Sequence, residues 1–114
     1  MNPSTRKTAL LCREWALEKK ALDPVLLDLE KIEGPALCFM VCSGQSEPHL
    51  KAIAESVEEG LREKAGMKPL ARDGRSGSQW IVLDYGDVLV HIMHEQKRAF
   101  YDLENLWKDA PRIK

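Results

Sequence analysis

Asp84 and Asp87 bracket Tyr85-Gly86, and Gly44-Gln45-Ser46 leads into a helical pattern; these are the residues whose types could support phosphoryl chemistry. Backbone donors where a strand turns into a helix can hold a phosphate, and closely spaced carboxylates can hold magnesium. The spacing argues against that use. The two aspartates flank a tight turn instead of alternating along a strand, and no basic residue lies within Ser43–Ser46. Ser46 reads more simply as a helix N-cap, with Glu47 and Pro48 in the first turn where both are favoured. No Ser/His/Asp or Cys/His spacing marks a nucleophile. His91 and His94 lie three apart on an apparent strand, so they point to opposite faces, which argues against one metal site. Cys38 and Cys42, four apart, share a face but sit too far apart for a disulfide. With Cys12 they make an odd set in apolar surroundings, which points to reduced, buried thiols. Adding His49 does not produce the close ligand pairs that zinc favours. The expectation is therefore no catalysis, no metal and no cofactor. The enzyme alternative is a nucleotidyltransferase-like site built from the Gly44–Ser46 loop with Asp84 and Asp87.

Binding chemistry is better represented. Trp80, Val82 and Asp84 share one strand face, opposite Ile81 and Leu83; on the next strand Val88, Val90, Ile92 and His94 oppose Leu89, His91 and Met93. Trp80 suits either rim packing or an exposed aromatic anchor of the kind enriched at interfaces. Tyr85 sits at a turn, where an exposed interface role is the expectation. His91, between Val90 and Ile92, suits a hydrogen-bonded sheet position. Arg98 and Tyr101 are adjacent on a helix face. Arg98 could pair with Asp102 one turn on, or project with Tyr101 toward a partner.

The elements that hold these residues follow from periodicity. A first helix is predicted over about Thr5–Leu22, stopped by Asp23-Pro24 because the residue before proline avoids helical angles. Val25–Leu29 reads as a short strand. Glu30 to Pro35 is a polar turn, and Ala36–Cys42 is a strand apolar enough to be covered on both faces. Leu50, Ile53, Ala54, Val57, Leu61 and Ala65 form the stripe of a helix, weakened at Gly60 and ended by Gly66 in the left-handed conformation. A brief strand within Met67–Arg72 and a loop over Asp73–Ser78 lead to the hairpin, where Gly86 can take the positive φ of its turn. A helix over about Glu95–Trp107 follows, with Ala99, Phe100, Leu103, Leu106 and Trp107 as its core stripe. The order α-β-β-α-β-β-β-α gives an α/β fold, one domain over 1–114, with a mixed, roughly five-stranded sheet flanked by helices. Its ordered core is expected over about residues 5–108, with a frayed tail at 109–114.

Composition excludes several classes. The 114 residues are 44% hydrophobic and 31% charged, the balance of a globular domain. Net charge is −1, from 17 basic and 18 acidic residues, so bulk charge does not favour nucleic acid or a membrane surface. No apolar run approaches the roughly 18 residues that span a bilayer, and the first residues carry no signal core. A cytoplasmic protein is expected.

From Trp80 to Trp107 the chain reads WIVLDYGDVLVHIMHEQKRAFYDLENLW. The pattern of Trp, an apolar run, Asp-Tyr-Gly-Asp-Val, an apolar-His-apolar strand and Arg…Phe-Tyr-Asp-Leu-Glu…Leu-Trp resembles the C-terminal half of the ribosomal silencing factors, the RsfS or Iojap-like proteins. Lys19-Lys20-Ala21 with Val25–Leu29, Phe39 to Ser46 ending Ser-Gly-Gln-Ser, and Ile53-Ala54 with Val57-Glu58-Glu59 extend the resemblance over about Ala9–Trp107. One departure is visible: Ala36-Leu37-Cys38-Phe39 stands where the family usually reads Ala-Asp-Tyr-Phe. The resemblance implies a fold similar to a reduced nucleotidyltransferase domain. It implies a protein that binds the large ribosomal subunit through its fourteenth protein, obstructs joining of the small subunit and so represses translation. It also puts the partner-binding surface on the hairpin and last helix, at Trp80, Asp84, Tyr85, Asp87, His91, Arg98 and Tyr101. Sequence-specific nucleic-acid binding and a membrane partner are not expected; homodimer formation is left open.

Overall fold

In the computed structural model, which describes residues 1–32, 34–74 and 77–113, Asn2 caps the first helix by accepting the Thr5 N–H at 2.7 Å, and Pro3 occupies the first turn. This helix, α1, spans Pro3–Glu18. It stops short of the expected Leu22 because Lys20 takes a positive φ of 60° and turns the chain. Leu22–Asp28 is instead a strand, β1. Asp23-Pro24 therefore marks a bulge and not a helix end. Leu22 pairs with Ser43 but Val25 with Val41, so one extra residue is accommodated in β1 where Asp23 has φ 44°. Proline, lacking an N–H, is tolerated at such a break in the ladder.

β2 (Cys38–Gly44) is buried along its whole length, as its continuous apolar run predicts. Ser46 then caps α2 (Glu47–Ala65) by accepting the His49 N–H, and Gly66 closes it in the left-handed conformation at φ 63°. Gly60 is more than a weak point in α2. A Cβ there would lie 2.2 Å from the Trp15 indole, so α1 approaches α2 this closely only because position 60 has no side chain. β3 (Ala71–Asp73), β4 (Trp80–Asp84) and β5 (Val88–His94) follow. Of the turn expected at 30–35, the loop expected at 73–78 and the tail, residues 33, 75, 76 and 114 lie outside the described residues.

The sheet has strand order β3-β4-β5-β2-β1-β6. β2 and β5 run parallel at its centre, and the other pairs are antiparallel. The expected five strands become six because the chain end is ordered. Arg112–Ile113 (β6) pairs with Leu27 and Leu26, Ala110 is buried, and the Pro111 carbonyl accepts the Asp28 N–H at 2.8 Å. The last helix also differs from expectation. Asp102 at φ 47° divides it into α3 (Glu95–Tyr101) and a single turn, α4 (Leu103–Leu106).

The two sheet faces are covered unequally. α1 and α2 pack Ala9, Cys12, Ala16, Leu50, Ile53, Val57 and Leu61 against Leu26, Met40, Leu83, Val90 and Ile92 on one face. On the other face Leu27, Leu29, Phe39, Val41, Met93 and Ala110 lie beneath Leu103 and Trp107 from the chain end. The alternation read along β4 and β5 predicts this division.

Candidate functional site

The uncovered part of the second face is where the aromatic residues collect. Trp80, Val82 and Leu89 remain half-buried there. Tyr101, 48% exposed, sets its ring 5.0 Å from that of Trp80, and Phe100, 81% exposed, lies 5.1 Å beyond Tyr101. A hollow of about 440 Å³ runs beside Trp80 and Val82, walled by Asp73, Gly74 and Ser78. Beneath the platform, the Trp80 Nε1–H donates to His91 Nδ1 at 3.2 Å. His91 packs edge-on to Phe39 at 4.6 Å, and Phe39 in turn meets Trp107 at 5.9 Å. Burial pulls the His91 pKa down from 6.5 to about 4, so the ring is neutral at physiological pH.

The structure thus brings Trp80, His91 and Tyr101 together, and adds Phe100, Val82 and Leu89. Ala99, Phe100 and Leu106 were expected in the core stripe of a continuous helix. With the helix broken at Asp102 all three are exposed, while Leu103 and Trp107 still face the sheet.

Tyr85 does not fit the exposure expected of it. It is only 6% exposed, because the turn at Gly86 (φ 84°) folds its ring back into the core beneath α1 and α2. Its hydroxyl is buried without a hydrogen-bond partner among the described residues, and burial pushes its pKa up. Asp84 accepts the Gly86 N–H at 2.7 Å and so shapes the turn. Asp87 accepts the Thr5 hydroxyl at 3.2 Å, and its carbonyl accepts the Leu37 and Cys38 N–H groups at 3.0 Å each, which ties the hairpin to α1 and β2.

Arg98 turns inward and pairs with Glu104 instead of Asp102. Its guanidinium donates to the Leu22 carbonyl at 3.0 Å, the Asp23 carbonyl at 2.7 Å and the Ser43 hydroxyl at 3.3 Å. It therefore fixes α3 to the bulge in β1. Tyr101, three residues along, is held to the platform by that anchor.

The elements of the enzyme alternative are separated. Cys38 pairs with Val88 and Gly44 with His94, so Asp87 lies at the opposite end of β2 from Gly44, roughly 20 Å away at strand spacing. The loop's own groups are also engaged. The Gln45 N–H donates to His49 Nδ1 at 3.1 Å, which leaves the ring hydrogen on Nε2 to bond the Lys19 carbonyl at 2.7 Å. His94 Nδ1 accepts the Gln96 N–H, and its Nε2–H reaches the Gln45 carbonyl at 3.2 Å. Cys12, Cys38 and Cys42 are free and buried, and desolvation raises all three thiol pKa values. Among the described residues no group of three His, Cys, Asp or Glu side chains is placed to hold a metal, and no helix is long and apolar enough to cross a membrane.

The chain is a single α/β domain, helix-covered on one sheet face and aromatic on the open part of the other. Comparison with known proteins narrows this. The model of the family described as "ribosomal silencing factor during starvation" matches residues 2–114. Ribosomal silencing factors of Halalkalibacterium halodurans and Bacillus subtilis are 38% and 37% identical to the chain, over 84% and 82% of it and 81% and 79% of their own lengths. A crystal structure of a Chromobacterium violaceum protein superposes with a TM-score of 0.86 at 32% identity, covering 95% of this chain and 88% of that one. One from Bacillus halodurans gives 0.81 at 31% identity, covering 96% and 98%. The chain belongs to the ribosomal silencing factor family, a regulatory and ribosome-associated family, and its role lies in ribosome silencing.

Proposed function

We propose that this protein binds the large ribosomal subunit through its fourteenth protein and keeps the small subunit from joining by steric occlusion, in the cytoplasm, without catalysing a reaction. The observation that carries the proposal is the run of contiguous aromatic rings, Trp80, Tyr101 and Phe100, on the open part of a sheet face. Interfaces concentrate their energy in such aromatic anchors, with a polar rim that excludes water. A near-neutral chain with this surface suits a protein partner better than bare RNA, whose recognition is dominated by phosphate charge. Occlusion needs no cofactor, since covering part of the joining face is sufficient.

The test is sucrose-gradient co-sedimentation with purified subunits. The protein should travel with large subunits and not small ones, and when added before mixing it should lower the yield of joined ribosomes with dose. Tyr101→Ala and Phe100→Ala should keep the fold and weaken large-subunit binding; truncating a well-centred anchor costs about 2 kcal/mol, roughly thirtyfold in affinity. Equal sedimentation with both subunits, or undiminished joining at saturation, would refute the proposal.

A further inference from the structure

The hydrogen bond between Trp80 and His91 has only one possible direction. An indole Nε1–H can only donate, so His91 Nδ1 accepts it across 3.2 Å and the neutral ring keeps its hydrogen on Nε2. That Nε2 is buried without a partner among the described residues, in a side chain only 8% exposed. An unsatisfied buried donor destabilises a fold, whereas an apolar group of similar shape would not. Leucine would therefore serve the core better at this position. Imidazole supplies two things here that leucine cannot, a ring edge against Phe39 and the acceptor Nδ1, and it is Nδ1 that Trp80 uses.

We infer that His91 is a positioning residue for the aromatic docking surface: through Nδ1 it holds the Trp80 indole in the orientation that meets Tyr101, so that a protein partner encounters an already ordered aromatic face. The inference rests on the docking surface proposed above and adds a cause for its geometry. Phe39 braces the imidazole edge-on from one side, and Trp107 braces Phe39, so the acceptor itself is held rigidly. Ordering a large side chain before contact removes an entropic cost that would otherwise fall on binding.

Three variants separate the possibilities. His91→Leu removes the acceptor, His91→Asn offers a side-chain carbonyl in its place, and Trp80→Ala removes the anchor. The Trp80 indole N–H resonance, assigned by its loss in Trp80→Ala, is followed in the free protein, and each variant is co-sedimented with large subunits. His91→Leu should move the indole resonance, speed its hydrogen exchange, leave thermal stability at neutral pH undiminished, and weaken binding about tenfold, the worth of one good hydrogen bond. His91→Asn should restore most of both signals. An unmoved indole resonance in His91→Leu overturns the inference, as does binding equal to wild type while Trp80→Ala binds poorly. Loss of binding that merely tracks loss of stability across the variants also overturns it. Normal binding by Trp80→Ala instead removes the docking surface itself, a different failure recognisable from that one variant.

Discussion

Buried and neutral, His91 couples folding to pH. Its pKa falls from 6.5 to about 4 in the folded protein, with burial as the cause. Between those values the unfolded chain binds a proton that the folded one excludes, so folding stability is fully present above pH 6.5 and lost as the pH falls. The linkage relation gives a loss of about 2 kcal/mol between about pH 7.5 and about pH 5, rising to about 3 kcal/mol by about pH 3.5. Carboxylates titrate in the lower part of this range as well, so the wild-type curve alone does not isolate the histidine. The difference between wild type and His91→Leu does, because the carboxylates are common to both. Urea unfolding at several pH values, with the free energies extrapolated to water, should show the variant gaining about 2 kcal/mol on the wild type between about pH 7.5 and about pH 5. Parallel pH profiles for the two proteins would mean that His91 titrates normally, and the buried Trp80–His91 arrangement would be wrong.

Tyr85→Phe should be stabilising by about 1 kcal/mol, because it deletes a buried hydroxyl with no partner, while Tyr85→Ala should destabilise by about 3 kcal/mol through the cavity it leaves; thermal melts decide both, and an exposed Tyr85 would make each change nearly silent. Gly60→Ala should lower stability by about 1–3 kcal/mol as the Trp15 ring is displaced, although alanine favours helix, and pairing it with Trp15→Leu should recover part of the loss; a stabilised single variant would show that α1 does not press on α2 there.

Much of the fold was legible because local and tertiary preferences agree over most of the chain. α2 announces itself by the Ser46 cap, its apolar stripe and Gly66; the cap and Gly66 occur as read, and the stripe is buried from Leu50 to Leu61 while Ala65, in the last turn, is exposed. Alternation along β4 and β5 assigned each side chain to the face on which it is found. The errors concentrate where single residues adopt conformations that composition does not advertise. Lys20, Asp23 and Asp102 are not glycines, yet each has positive φ, and each moves a boundary: the end of α1, the bulge in β1, the break between α3 and α4. The Asp102 break matters most for the site. With the helix continuous, Phe100 shares a stripe with Leu103 and Leu106 and belongs in the core; with it broken after Tyr101, Phe100 joins the open aromatic face. β6 was missed because a two-residue strand lacks a pattern, and its order comes from β1 and from the Arg13 contact with the Ile113 carbonyl at 3.4 Å.

The Gly44–Ser46 loop has the strand-to-helix form of a phosphate site, and its Gln45 groups are used within the fold. Such a site needs backbone N–H groups left free to point at the ligand. Here the Gln45 N–H is given to His49 and the His49 N–H to Ser46, while the Gln45 carbonyl is taken by His94. His49 also reaches the Lys19 carbonyl, so the same ring fastens the end of α1 to this turn. Packing is close at Gly44 as well: a Cβ there would lie 2.9 Å from a Leu50 methyl and 3.0 Å from the His49 ring, so both side chains would have to shift. The histidines therefore engage both backbone groups of Gln45 and the Lys19 carbonyl, and so join α1, α2 and the end of β5. Arg98 extends the same junction from α3 to β1 through the Ser43 hydroxyl and two carbonyls. Polar chemistry at this end of the sheet is spent on holding elements together. The recognition surface we propose is the open face that those bonds keep in place, where Tyr101 is fixed from one side by the Arg98 anchor and from the other by the indole of Trp80.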